Sequence, residues 1–220
     1  MAVLLRDHKV RYMSREQIAR VALDWWAIAD RRGNNFNICD FVVQVLAKKR
    51  FQSKGQLQIK FYEDLPEQAS VTFDPLTLHI EKRVWDAAAA GESYARFIVA
   101  HEIGHIVLHD RTAAAFSNDE NAVLKFVEKE ESAEEQANAF ADLFLVPDHV
   151  ALRLRDVDTI AGLCVVADTV AKRRLKDALL SKSPLHPQYK GDACIKCSNF
   201  TLLRVGVLLR CGTCGQMTET

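Results

Sequence analysis

Nowhere in this chain do apolar residues run together for the roughly 18 positions that a membrane-spanning helix needs, so no span is expected. The opening MAVLLRDHKVRYM breaks into charge too early for the apolar core of a secretory signal, which points to a cytoplasmic setting. Internal repeats and low-complexity tracts are also missing, which excludes a solenoid or a repetitive linker protein. Net charge is absent as well, with 29 Lys+Arg against 29 Asp+Glu. The balance is uneven: residues 151–220 hold 11 Lys+Arg against 6 Asp+Glu, or +5, which leaves 18 against 23, or −5, for residues 1–150. So mild an excess is not by itself a nucleic-acid footprint. What remains is 220 residues, 49% hydrophobic and 26% charged, enough for one main domain with a substantial core and a small appendage.

Periodicity orders the main domain. SREQIARVALDWWAIADRRG opens on a capping box, Ser14 with Gln17, and continues with Ile18, Val21, Ala22, Trp25, Ile28 and Ala29 at helical spacing until Gly33. NICDFVVQVLAKK predicts a second helix that buries Ile38, Phe41, Val42, Val45 and Leu46. After Gly55 the period becomes two: Leu57, Ile59 and Phe61 make one strand and Leu76, Leu78 and Ile80 another, with turns at Pro66 and Asp74-Pro75. The helical period returns near Glu92 and runs through His109; residues 111–122 read as a loop. EKEESAEEQANAFADLFL then predicts a helix with Ala133, Ala137, Phe140, Ala141 and Phe144 on one face, stopped by Pro147. Two shorter helical stretches follow, the second with a helix-turn-helix rhythm and basic residues Lys172, Arg173, Arg174 and Lys176. SKSPLHPQYKGD is the natural linker.

HEIGHIVLH, residues 101–109, carries the chemistry. Positions four apart on a helix share a face, so His101 and His105 can aim both imidazoles at one point. Glu102, about 100° round the axis, can reach a water there without joining the coordination, and this is the logic of the H-E-x-x-H zinc motif. The plainer alternative makes both histidines core residues bonded to backbone carbonyls. A catalytic zinc needs a third protein ligand. His109 lies about 12 Å along the axis from His101, too far for one tetrahedral ion. Among the carboxylates of the following helix, phase selects Glu134, beside the apolar stripe, with Glu131 next; Glu128, Glu130 and Glu135 fit a solvated face. Gly104 would let another backbone or a substrate come near.

Four of the six cysteines form two CxxC pairs, Cys194 with Cys197 and Cys211 with Cys214, with thirteen residues between the pairs, most of them the strand-like NFTLLRVGVLLR. Two knuckles of this spacing predict a zinc ribbon whose four thiolates close the coordination sphere, so its ion is structural. Cys39 and Cys164 sit in apolar helical patterns and read as buried thiols.

RFIVAHEIGHIVLH followed by EEQANAFADLFLVP resembles the metallopeptidase domain of the ImmA/IrrE family, over about residues 15–180. The match lies in an arginine-phenylalanine lead, the two histidines around Glu102, a later histidine, and a glutamate helix closed by proline. The resemblance implies a zincin-like fold with His101, His105 and Glu134 as zinc ligands and Glu102 as the catalytic base. DLFLVP stands where the family commonly has a leucine-rich LLMP, and the cysteine module is an addition. The whole predicts an α+β protein: a zincin-like domain with a small antiparallel or mixed sheet at 1–147, a helix-turn-helix-like segment packed on it at 148–182, a linker at 183–190 and a zinc ribbon at 191–220. The function it implies is that of a zinc-dependent endopeptidase acting on a regulatory protein such as a transcriptional repressor, with one catalytic and one structural zinc. The rival is a regulatory protein that binds DNA or a repressor through the helical segment and ribbon without proteolysis. LTLHIEK is the expected sheet edge for a substrate strand, and His79 and Tyr94 are the candidate oxyanion partners.

Overall fold

The computed structural model of the chain describes residues 9–29, 34–51, 54–109, 129–181, 196, 202–205, 208–211 and 216–219. Its fold is mixed α+β, and contacts group it into two units, residues 1–18 with 38–141 and residues 19–37 with 142–220. Helix α1, Arg15–Ile28, begins in the first unit and continues in the second. Its capping box forms reciprocally: Ser14 N–H donates to Gln17 Oε1 at 2.8 Å and Gln17 N–H to Ser14 Oγ at 3.3 Å. The buried stripe is Ile18, Ala19, Ala22, Leu23 and Trp26, turned by one residue from the expected one, so Trp26 and not Trp25 is inside.

In the first unit, α2 (Ile38–Phe41) passes into a π turn at Val42–Leu46. A two-stranded ribbon, β1 (Arg50–Phe51) with β2 (Gly55–Gln56), leads into β3 (Gln58–Tyr62), β4 (Ala69–Phe73) and β5 (Leu76–Glu81). The three-stranded sheet has the order β3-β5-β4, with β3 parallel and β4 antiparallel to β5. LTLHIEK is therefore the central strand and not an edge. Both its ladders are paired, which leaves no row of backbone groups for a substrate. Strand β4 was not distinguished by its own period, because Ala69, Val71 and Phe73 alternate with small polar residues between two turns. Leu76, Leu78 and Ile80 are fully buried on one face, and Thr77 and Glu81 are buried on the other. Glu81 is covered by the preceding loop, where it accepts from Leu65 N–H at 3.2 Å.

A short helix absent from the periodic reading, α3 (Lys82–Ala89), buries Val84 and Ala88 one turn apart. It packs with α2 and with the long helix α4, Ser93–Leu108, which also lies against β4. Glu92 caps α4, accepting from Tyr94 N–H at 3.0 Å and Ala95 N–H at 2.6 Å. Val99, Ala100, Ile103 and Ile106 are fully buried, the pattern of a helix enclosed on several sides. A 3-10 turn at Lys129–Glu131 precedes α5, Ala133–Leu145. The extended segment before α1 runs beside this turn, with Val10 N–H donating to Glu131 O at 2.7 Å and Met13 N–H to Glu130 O at 3.0 Å.

The second unit holds α6 (Asp148–Leu154), which starts immediately after Pro147, then α7 (Val157–Cys164) and α8 (Asp168–Leu180). The step between units falls at Ala141/Asp142, inside α5 and ahead of the break read at Pro147. The basic residues of α8 are not simply exposed. Arg174 is fully buried, donating from Nε to Val146 O at 2.9 Å and from Nη2 to the Asp148 carboxylate. Arg173 grips Asp142 in a fork, at 2.5 Å and 2.7 Å. Lys172 and Lys176 remain exposed. Strands β6 (Leu202–Val205), β7 (Leu208–Cys211) and β8 (Met217–Glu219) form an antiparallel meander. Arg210 from β7 donates to Ala27 O at 2.9 Å and Ala29 O at 2.8 Å. Among the described residues, no helix is long and apolar enough to cross a membrane.

Candidate metal centre

Two helices build the site, and a glycine lets them meet. A Cβ at Gly104 of α4 would stand 3.0 Å from Ala137 Cα and 3.1 Å from Ala137 O of α5, so any larger residue would have to push the α5 backbone back by a few tenths of an ångström, and glycine lets the helices cross at this distance without it. The contact sets Glu134 and Asn138, one turn apart on α5, opposite His101 and His105 on α4. His101 Nε2 lies 3.0 Å from His105 Nε2 and 3.2 Å from Glu134 Oε2, and His105 Nε2 lies 3.3 Å from Glu134 Oε1. These are the residues whose donor atoms converge within 4.8 Å of one another.

The donors fit a zinc ion. Tetrahedral coordination with bonds of about 2.0–2.1 Å separates ligand atoms by roughly 3.3 Å, close to each separation seen here. The imidazole chemistry agrees. His101 Nδ1 stands 2.9 Å from Asn138 Oδ1, a carbonyl-type acceptor, so Nδ1 carries the proton and Nε2 turns a lone pair inward. The imidazoles are mostly covered, at 16% and 15% side-chain exposure, and Glu134 is 40% exposed, so the cluster is open on the glutamate side. Burial works against a charge on His101, but its bond to Glu134 and the nearby carboxylates outweigh this and raise its pKa. Burial likewise opposes ionisation of Glu134, and the bonds to both histidines overcome it, holding the carboxyl well below the usual range.

Glu102 takes no part in that convergence. It is buried at 6% exposure, and its Oε2 meets no hydrogen-bond partner among the described residues. Burial raises its pKa against the pull of His105 and His101, the shift expected of a carboxylate suited to proton transfer.

Glu131 is elsewhere, paired with Lys9 at 2.8 Å, and Glu135 and Glu130 are exposed. Neither oxyanion candidate joins the cluster. His79 spends both ring nitrogens in the sheet, on Tyr62 Oη at 2.9 Å and Thr72 Oγ1 at 3.1 Å, and Tyr94 is 60% exposed in the first turn of α4. Cys194, Cys197 and Cys214 lie outside the described residues, as do the side chain of Cys211, which ends β7, and the linker at 183–190. Sequence reasoning gave no supporting role to Asn138, Gln136, His109 or Lys54. Asn138 was recoverable from its i+4 relation to Glu134. Gln136 and His109, bonded at 3.1 Å, belong to a second layer behind the donors. Lys54 donates to Ile106 O at 2.7 Å near the carboxyl end of α4, where a cation suits the helix dipole.

Residues 61–161, a stretch that holds all of α4 and α5, match the family model Peptidase_M78, described as the IrrE N-terminal-like domain. No sequence among the curated proteins matches the chain. Among solved structures, a Mycobacterium tuberculosis transcriptional regulator is similar, with a TM-score of 0.53 and 16% identity over 80% of this chain and 50% of that one. The chain thus spans about half the length of that protein, and the likeness is one of fold.

Proposed function

We propose that the protein is a zinc-dependent endopeptidase whose substrate is a regulatory protein, such as a transcriptional repressor. The observation that carries this reading is the convergence of His101, His105 and Glu134 beside a buried Glu102 oxygen that has no partner among the described residues, within a stretch that matches a peptidase family model. His101 Nε2, His105 Nε2 and the Glu134 carboxylate would hold the zinc. When bound in such a site, zinc polarises a carbonyl and lowers the pKa of water towards about 7. Glu102 takes the proton from the attacking water as its oxygen bonds to the scissile carbonyl carbon. It passes that proton to the amide nitrogen as the carbon–nitrogen bond breaks. Its burial favours the protonated form it must adopt between these steps. Asn138 holds the His101 ring through Nδ1, so the imidazole keeps its orientation while substrate enters.

The 191–220 segment is proposed as a zinc ribbon in which Cys194, Cys197, Cys211 and Cys214 hold a second, structural ion. The β6-β7-β8 meander, with Cys211 ending β7, is consistent with that role. The 148–182 segment is proposed as a helical module after the peptidase domain, and the cytoplasm as the setting.

Glu102→Gln tests the peptidase reading. It keeps the three donors and removes the base, so zinc content should stay at the wild-type level while hydrolysis falls by about 10²- to 10⁴-fold. Comparing new protein N-termini in cells that express either form reads this out without knowing the substrate in advance. The wild type should generate termini that the variant does not. If the termini are identical and the variant keeps the full cellular effect, the protein acts by binding DNA or a repressor, and proteolysis is not its function.

A further inference from the structure

Behind His105 lies a file of polar groups whose hydrogen-bond directions are fixed at its far end. Gln136 is buried at 1% exposure. Its Nε2 donates to two backbone carbonyls, Arg11 O at 2.9 Å and Glu130 O at 2.6 Å. A carbonyl can only accept, so the amide has one orientation, and Gln136 Oε1 faces His109 Nε2 at 3.1 Å as an acceptor. His109 Nε2 therefore carries the hydrogen. His109 is buried at 4% exposure, where an unpaired second proton is costly, so its Nδ1 holds a lone pair. That lone pair faces His105 Nδ1 at 3.0 Å, and the single hydrogen between them belongs to His105. His105 Nε2 is left bare, directed at His101 and Glu134.

We propose that Gln136 and His109 are positioning residues that select the metal-binding tautomer of His105, through a relay anchored on the backbone carbonyls of Arg11 and Glu130. The inference rests on the zinc reading above and deepens it. The relay ties the site to the segment before α1, since the carbonyls of Arg11 and Glu130 lie on the two strands of chain that Val10 and Met13 hold together. His101 has its own, separate partner in Asn138, so each imidazole is oriented independently and from a different direction.

The test uses the full-length chain titrated with Co²⁺ and then with Zn²⁺ against a competing chelator, because the visible bands of cobalt separate a nitrogen–oxygen site from a four-thiolate one. His109→Leu removes the acceptor and should weaken ion binding at the nitrogen–oxygen site by roughly 10- to 100-fold, the usual effect of losing such an outer partner. His109→Asn places an amide oxygen near the position of Nδ1 and should recover most of that loss. Equal weakening in both variants would make His109 a packing residue only and overturn the proposal. Imidazole nitrogen spectra of the metal-free, unsubstituted chain at mildly alkaline pH give a second reading that no substitution can disturb. The proton should lie on Nδ1 of His105 and on Nε2 of His109; the opposite placement on His109 overturns the relay even if zinc binds. If the unsubstituted chain takes up no ion at the nitrogen–oxygen site, the zinc reading fails, and the spectra still decide the relay.

Discussion

At His79 a single side chain joins all three strands of the small sheet: it lies on β5, Tyr62 on β3 and Thr72 on β4. Burial, and then the nearby Lys60 charge, push its pKa below the ordinary 6.5. The folded chain therefore binds fewer protons at this residue than the unfolded chain does just below pH 6.5, and its stability rises with pH through that window. Acidification should remove this contribution as pH falls below about 6.5 towards the folded value. Thermal unfolding followed across that range should show a shallower acid decline in His79→Gln than in the wild type; parallel curves would mean that His79 is not linked to folding. The outward direction of His79 was legible from strand alternation. Its partners were not, because cross-strand neighbours depend on register between segments, and the parallel pairing of Lys60 with His79 leaves no local mark. The two histidines of the motif were legible for the opposite reason, since one helical turn relates them without help from the rest of the fold.

Among the elements, α4 and α5 meet where a methyl group would be tight against backbone. Gly104→Ala gains about 1 kcal/mol of helix propensity but presses a carbon against backbone atoms of Ala137. Overpacking of this kind costs typically 1–3 kcal/mol. The net effect should be destabilising, with weaker metal binding because Glu134 rides on the displaced helix. Gly162 in α7 is the natural control: a Cβ there meets nothing within 4 Å, so Gly162→Ala should stabilise by about 0.5–1 kcal/mol. Chemical denaturation of the two variants should give shifts of opposite sign. Long periodic helices such as α4 and α5, and the capping box of α1, could be read locally. Helix α3 could not, because a helix of two turns buries only Val84 and Ala88 and offers too few repeats to set a period. The phase of α1 slipped by one residue because adjacent tryptophans, Trp25 and Trp26, give the apolar stripe two equivalent placements.

For the whole molecule, the proposal of two zinc ions of different kinds predicts two equivalents per chain by elemental analysis. Cys211→Ser should reduce this to one and spare peptide hydrolysis; Glu134→Gln should also reduce it to one but abolish hydrolysis. The strand order β3-β5-β4 lay beyond sequence reading, since it arises from which segment fills the middle of the sheet, a matter of long-range packing. The same limit applied to α8, where four basic letters in a row of five positions look alike until their partners are known. Arg173 and Arg174 turn to Asp142 and Asp148, carboxylates contributed by a part of the chain that the count over residues 151–220 leaves out. Two of the positive charges in that count are thereby answered before any polyanion arrives, which leaves Lys172 and Lys176 as the exposed basic residues of this helix that pair with no carboxylate among the described residues. Since each neutralised phosphate adds about 0.9 to the salt dependence of duplex binding, a nucleic acid held by these two lysines alone would bind weakly, and its affinity would change little with ionic strength.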